Sequence, residues 1–244
     1  MTWKNHNNGV GWRFDDTGAI VVARSPVDVL DGWLERFIVE GDGGAWRTVG
    51  QPSTMRDLVE RYHGDVLDAC ERWGLWAPTL YALMGVESVK SERQRTRDIF
   101  SIRYEPPFDG WEPTEGYDPR RWFSAGLLQT RLLEAQAAVE REGFVFVDAY
   151  GEPRPFQPAD LMIPAVAIAI GGSHLSSLHA RFGGDPMHLN VAWNTGGVRD
   201  NKSLRFRLHC HGGDDRVAKF IAYHNDALAV LLEHGLHTGV YHGE

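Results

Sequence analysis

Cysteine and long apolar segments are both scarce in this chain of 244 residues. The two cysteines, Cys70 and Cys210, cannot form a disulfide framework, and we expect them to be free thiols in a reducing compartment. The apolar segment 161–170 is shorter than the roughly 18 residues that a membrane-spanning helix needs, and it contains Pro164. Residues 1–10 lack the apolar core of a secretory signal. The sequence therefore predicts a protein that neither spans a membrane nor carries a marker for general export.

An excess of basic residues is also missing. Asp and Glu outnumber Lys and Arg by 33 to 25, which gives a formal net charge of -8 at pH 7. This charge argues against a nucleic-acid partner, and it provides no long-range attraction toward anionic polymers of the cell envelope. Such a polymer would have to be bound by local contacts. What the chain does contain is 43% hydrophobic residues, enough to bury the core of one large domain.

The first fifty residues differ in pattern from the rest of the chain. Residues 11–22 read as two short strands joined by a turn, and a helix is predicted from Ser25 to residue 40. Residues 42–52 are interpreted as a linker. The predicted organisation is a small strand-helix segment of unknown role at 1–50, followed by the main domain at 51–244.

The main domain is predicted to be mainly helical, because its apolar residues recur at helical spacing over most of its length. The first predicted elements are a helix over 53–73 with a break at Gly64, a helix over 78–88 and a helix over 124–141. A hairpin over 144–156 that turns at Gly151 and a helix over 160–182 that is interrupted or closely packed at Gly171 follow. Asp185 is predicted to cap a helix over 186–193, and Asp214 or Asp215 to cap the last helix.

Glu87 is the residue around which a functional interpretation can be built. At helical period it shares a stripe with Leu80, Leu83 and Met84, so it points toward the core or toward the wall of a cleft. Removing water from a carboxylate favours its protonated form, as a general acid working near neutral pH requires. The alternative is a glutamate at a helix end whose carboxylate reaches solvent.

Three separated sequence pieces occur in an order that is informative. They are Glu87-Ser88, then Ser124-Ala-Gly-Leu-Leu-Gln129, then Ala-Trp-Asn-Thr-Gly over 192–196. In this order the chain resembles the lysozyme-like lytic transglycosylases from about residue 52 to residue 232. That family has Glu-Ser, Ser-x-x-Gly-Leu-Met-Gln and Ala-Tyr-Asn-Ala-Gly at the corresponding places. Each piece alone is a weak signal, and the order of all three carries the resemblance.

The resemblance implies a mainly α fold of the α+β lysozyme-like type, with helices around a groove for peptidoglycan glycan strands and one or two small β-hairpins. Glu87 would be the catalytic acid and base of a lytic transglycosylase, which leaves a 1,6-anhydro product and needs no cofactor. The expected substrate-binding residues are Ser88, Ser124, Gln129, Trp193, Asn194 and Tyr223. Tyr223 stands a few positions from where the family has a tyrosine. Each of these residues could instead have a purely structural role, Ser124 as a helix N-cap for example.

Residues 90–123 are longer than the family's usual connection and contain a second resemblance. The segment Asp98-Ile-Phe-Ser-Ile-Arg-Tyr-Glu105-Pro-Pro-Phe is similar to the Phe-Glu-x-x-x-Phe segment of phage N-acetylmuramidases. Glu105 or Asp98 could therefore activate a water, which would make the enzyme a hydrolase. Strand alternation places Glu105 on the side of Arg103, so an ion-paired surface glutamate is an equal alternative.

Other functional classes have weaker support in the sequence. His209 and His211 could share a zinc ion on a strand, but no third ligand is indicated, so no metal site is predicted. The rival from another class is a non-catalytic glycan-binding or virion structural protein. Cleavage of chitin or chitosan is a third alternative. Without an export signal, we expect a phage lysin that depends on a holin, or a virion-borne enzyme, with no nucleic-acid or membrane partner.

Overall fold

The structure is a computed structural model that describes residues 3–4, 9–88, 123–236 and 238. The described chain is mainly helical, as the sequence predicted, and it contains four small antiparallel strand pairs where one or two hairpins were predicted. It divides into two compact units. The first unit consists of Met1–Val86 with Leu175–Glu244, and the second of Glu87–His174. The predicted boundary near residue 50 does not coincide with a division between these units.

The predicted N-terminal hairpin is confirmed. Strands β1 (Trp12–Phe14) and β2 (Ile20–Val22) pair antiparallel. Gly18 in the turn has a φ of 93°, a conformation that costs glycine nothing but strains residues with a side chain.

The predicted helix over residues 25–40 is wrong. Only α1 (Pro26–Val29) is α-helical there, a 3₁₀ turn follows at Leu34–Arg36, and the chain then enters strand β3 (Ile38–Glu40). Strand β3 pairs with β4 (Trp46–Thr48), which lies within the predicted linker. The helix ends at its C-cap residue Leu30, which is already extended with φ -96° and ψ 154°, and the pairing of β3 with β4 then sets the path of the chain.

The helices of the first unit surround its C-terminal helix. Most residues of this last helix are buried from Arg216 to Leu231. Its Asn225 accepts a hydrogen bond from the Ile20 amide at 2.7 Å and donates to the carbonyls of Ile20 and Trp46 at 2.8 and 2.9 Å. The N-terminal strands are thus part of this unit's core. The helices are α2 (Ser53–Trp73), α3 (Ala77–Ser88), which ends in the second unit, α6 (Pro186–Thr195) and α7 (Gly213–Glu233).

Two predicted helix details of the first unit are also wrong. Helix α2 continues through Gly64 without a break. Helix α7 is not capped by an aspartate, because Gly212 occupies its N-cap position. The carboxylate of Asp214 instead accepts hydrogen bonds from the amides of Arg205 and Phe206 at 3.0 and 3.1 Å.

The second unit packs two helices and two strand pairs around a small apolar cluster. The predicted hairpin near Gly151 is confirmed, and helix α5 (Pro164–Phe182) is continuous past Gly171, which packs against Leu128. The predicted helix over 124–141 begins only at Leu132. The elements are β5 (Ser124–Ala125), β6 (Thr130–Arg131), α4 (Leu132–Glu142), β7 (Phe146–Val147), β8 (Pro153–Arg154) and α5 (Pro164–Phe182), whose last residues belong to the first unit.

None of the helices in the described part of the chain has both the length and the apolar composition that crossing a membrane requires.

Candidate functional site

Glu87 lies in the last turn of helix α3. Leu80, Leu83 and Met84 are completely buried, and Glu87 is only partly exposed. The carboxylate at this helix end is therefore accessible from solvent.

Ser88 connects the end of α3 to the second sequence motif. Its side chain is completely buried, and its hydroxyl donates a hydrogen bond to the carbonyl oxygen of Leu127, 39 positions later in the chain. Both residues lie in the second unit. The structure thus brings the Glu-Ser pair into contact with the Ser124–Gln129 segment, which the sequence could associate with it only by resemblance.

The segment between β5 and β6 is a tight turn held together by its own side chains. The amide nitrogen of Gln129 donates to the Gly126 carbonyl at 3.1 Å, and its side-chain Nε2 donates to the same oxygen at 2.8 Å. The hydroxyl of Ser124 donates to Gln129 Oε1 at 3.3 Å. Ser124 is consequently a strand residue beside a turn, and the alternative of a helix N-cap is wrong.

Gln129 has an unusual backbone conformation that sequence reasoning missed. Its φ is 47°, in the left-handed region, which costs a residue with a side chain about 1–2 kcal/mol. Glutamine favours helices, so the residue type at position 129 gives no indication of a left-handed backbone conformation. Strained residues of this kind persist only where their surroundings enforce them, and they cluster at functional sites. The two side-chain hydrogen bonds of Gln129 provide that enforcement.

A partly buried ion pair in the second unit supports this turn. Arg154 binds both carboxylate oxygens of Asp160 at 2.8 and 2.5 Å, and hydrogen bonding to Arg154 lowers the pKa of Asp160. The pair fixes the 3₁₀ turn Pro158–Met162. The Leu161 carbonyl of that turn lies so close to Gly126 that a side chain could not be placed there. Asp160 therefore helps to position the Ser124–Gln129 turn, although it lies outside that segment.

The third motif lies in the first unit, on helix α6. The Asp185 carboxylate caps α6 by accepting the Met187 amide at 2.9 Å, as predicted. Trp193 is 8% exposed, and Asn194 is partly exposed. The side-chain oxygen of Asn194 accepts the amide of His211 at 2.5 Å, so this residue also holds the loop before α7.

Tyr223 on α7 is buried in the first unit between Phe37 and helix α3. Its ring packs edge-on against Phe37 with centroids 6.1 Å apart. It also lies against Gly85 of α3, where an added Cβ would come within 2.9 Å of the ring. These contacts give Tyr223 a packing role and leave its predicted sugar contact as a prediction.

The remaining predicted residues divide into two groups. Glu105 and Asp98 lie outside the described residues, so the two-carboxylate alternative stays a prediction. His209 and His211 are not on a strand, as the zinc alternative required. His209 Nδ1 is 3.5 Å from the Asn201 side-chain nitrogen, and burial raises the pKa of the Cys210 thiol between the two histidines to about 11. No group of three potential metal ligands occurs among the described residues.

A surface cavity of about 300 Å³ in the first unit contains none of the predicted site residues. Its lining is formed by Gly9, Val10, Arg24, Asp28, Val29 and Arg205.

In comparisons with known proteins, no protein-family model matches the sequence, and no curated protein is significantly similar to it.

Proposed function

We propose that this protein cleaves the glycan strands of peptidoglycan between N-acetylmuramic acid and N-acetylglucosamine, as a lytic transglycosylase with a lysozyme-like fold. The observation that supports the proposal most strongly is the hydrogen bond from Ser88 to the Leu127 carbonyl. It joins two of the three motifs that carry the resemblance, although they are far apart in the sequence. The mainly helical composition is compatible with a lysozyme-like fold.

Glu87 is the acid and the base of the proposed reaction. Its protonated carboxyl group donates to the glycosidic oxygen while the bond from that oxygen to C1 of the muramic acid breaks. The resulting carboxylate then accepts the proton of the 6-hydroxyl group, whose oxygen forms the new bond to C1. The product is a 1,6-anhydro ring, no water is consumed, and Glu87 ends in its starting protonation state. A single carboxylate is therefore sufficient.

The turn at Ser124–Gln129 is proposed to position the acid and the sugar. Its backbone is fixed by Gln129 and Ser124, and Ser88 holds the end of α3 against it. A site fixed before the substrate binds lowers the cost of organising the transition state. Trp193, Asn194 and Tyr223 are proposed as further substrate contacts on the strength of the sequence motifs.

The test is digestion of purified sacculi with the full-length protein, followed by mass spectrometry of the released muropeptides. We expect anhydro ends from the wild type. Glu87→Gln should abolish release, with a loss of at least about a thousandfold, because it removes the only group that transfers a proton. Glu60→Gln, an exposed glutamate on α2, is the matched control and should leave the rate unchanged.

The products also separate the rival functions. Reducing ends formed by addition of water would identify a muramidase and would assign a second carboxylate such as Glu105 or Asp98 to water activation. Full activity in Glu87→Gln would refute the assignment of the acid. Binding to sacculi without any release by the wild type would identify a non-catalytic glycan-binding protein, and soluble chito-oligomers as the only substrate would identify a chitinase-like activity.

A further inference from the structure

A row of aromatic side chains runs along one face of α7 in the first unit. Trp33 and Phe37 are four residues apart on the segment that includes the 3₁₀ turn, and Lys219 and Tyr223 are four residues apart on α7. The Lys219 ammonium lies 4.6 Å from the centre of a Trp33 ring. The rings of Phe37 and Tyr223 are 6.1 Å apart, and those of Trp33 and Phe37 are 5.6 Å apart.

The row goes from a solvent-exposed end to a buried end. Trp33 is 54% exposed, Phe37 is partly buried, and Tyr223 is 4% exposed. Tyr223 in turn lies against Gly85 of α3. The row therefore links the surface at Trp33 to the helix that ends in the proposed catalytic glutamate, through residues of the first unit only.

The surface around Trp33 suits an amphipathic ligand. The neighbouring residues Asp31, Gly32, Glu35 and Arg36 are all exposed, so charged side chains stand close to the indole along the chain. Protein interfaces usually need apolar patches of several hundred Å². A pyranose ring, with one apolar C–H face and hydroxyl groups around its edge, matches a single indole with a polar border.

Lys219 adds a hydrogen-bond donor at this place. Burial lowers the pKa of Lys219, since part of its hydration shell has been replaced by neighbouring side chains. No carboxylate in the described part of the chain lies within salt-bridge distance of its ammonium group. Its N–H groups are thus available to an acetamido, hydroxyl or carboxylate oxygen beside the indole.

We propose that Trp33 and Lys219 form a sugar-binding subsite for one N-acetylated pyranose of a glycan strand. The sugar stacks on the exposed part of the indole, and the Lys219 ammonium donates to one of its oxygen atoms. This inference rests on the proposed function for the identity of the glycan, and it assigns substrate binding to a residue within the first fifty, for which the sequence predicted no role.

The test is isothermal titration of Glu87→Gln, which cannot turn over in the proposed reaction, with soluble uncrosslinked glycan strands and with N-acetylglucosamine oligomers. Adding Trp33→Ala should weaken binding about five- to tenfold, and Trp33→Tyr should restore most of it. Adding Lys219→Met, which keeps the length of the side chain, should weaken binding about threefold. Unchanged thermal unfolding midpoints verify that these variants are folded.

Trp3→Ala is the matched control, because Trp3 is 45% exposed and carries the Arg13 guanidinium 5.2 Å from its ring centre. It should leave binding unchanged. Equal affinities for Trp33→Ala and its parent would overturn the subsite, as would equal losses from Trp33→Ala and Trp3→Ala. Glycan release by the wild type is measured separately. If the wild type releases glycan but binding does not depend on Trp33, only the subsite is refuted. If binding depends on Trp33 but the wild type releases no glycan, the subsite is supported and the proposed reaction is refuted.

Discussion

His224 is a buried titratable residue in the middle of α7. Its ring packs edge-on against Trp76 with centroids 4.7 Å apart, and its Nε2 has no hydrogen-bond partner among the described residues. Burial lowers the pKa of His224 to about 3, because the charged ring would lose its hydration. The folded protein therefore keeps this histidine neutral under conditions in which the unfolded chain protonates it.

This shift predicts a loss of stability in acid. Below the ordinary histidine pKa of about 6.5, the unfolded state binds a proton that the folded state does not bind, so the free energy of unfolding falls as the pH decreases toward about 3. The slope contributed by His224 should approach about 1.4 kcal/mol per pH unit. Urea denaturation between pH 7 and pH 5 measures it.

His224→Phe is the control for that prediction, since it keeps an aromatic ring next to Trp76 and Phe220 but cannot titrate. The variant should show a shallower dependence of unfolding free energy on pH. The same slope in both proteins would contradict the assignment to His224.

The candidate site shows what single residues reveal before a structure is known. Glu87 and Ser88 could be placed at the end of an apolar helix, because the helical period of their neighbours is regular. The left-handed backbone of Gln129 could not be predicted, because it depends on hydrogen bonds to Gly126 and Ser124 within a folded turn. Residue identity was enough to nominate this glutamine, but its conformation required the tertiary structure.

Helix α3 depends on a glycine for its close approach to other helices. A Cβ added at Gly85 would lie 2.7 Å from Met55 Cε and 2.9 Å from the Tyr223 ring. We expect Gly85→Ala to destabilise the protein by about 1–3 kcal/mol, because overpacking outweighs the higher helix propensity of alanine. Denaturant unfolding measures the change.

Gly64 in α2 provides the opposite case on a helix of the same unit. A Cβ at this position meets nothing within 4 Å, and the residue is exposed. Gly64→Ala should therefore stabilise the protein by up to about 1 kcal/mol. Stabilisation by both substitutions would show that the contacts at Gly85 are not tight.

Among the elements, those determined by local chemistry were predicted well. The turns at Gly18 and Gly151 and the start of α6 at Asp185 follow from residues within a few positions. The helix predicted over residues 25–40 failed because its apolar spacing also suits strand β3, which pairs with the nearby β4 and is covered by α7, a helix distant in sequence. A hydrophobic period cannot choose between these outcomes when packing against a distant helix decides.

At the scale of the whole molecule, the first fifty residues are structurally required. Trp12, Ile20 and Trp46 are at most 1% exposed, and Ile20 and Trp46 supply three hydrogen bonds to Asn225. A chain that begins at residue 51 should therefore lose the cooperative unfolding of the first unit, because α7 would have an uncovered apolar face and a buried polar group without partners. Circular dichroism during thermal unfolding measures this.

The full-length variant Asn225→Ala is the comparison for the shortened chain. It removes the hydrogen bonds but keeps the apolar contacts, so it should unfold cooperatively at a reduced temperature. An unchanged transition in the shortened chain would show that residues 1–50 are dispensable.

The hydrogen bonds between Ile20 and Asn225 join positions 205 residues apart, with the entire second unit encoded between them. At about 5–20 amino acids added per second, a ribosome needs roughly 10–40 s to go from one to the other. Throughout that interval the early strands have emerged while their covering helix has not been synthesised. We therefore expect the apolar faces of these strands to stay uncovered during translation until α7 has been synthesised.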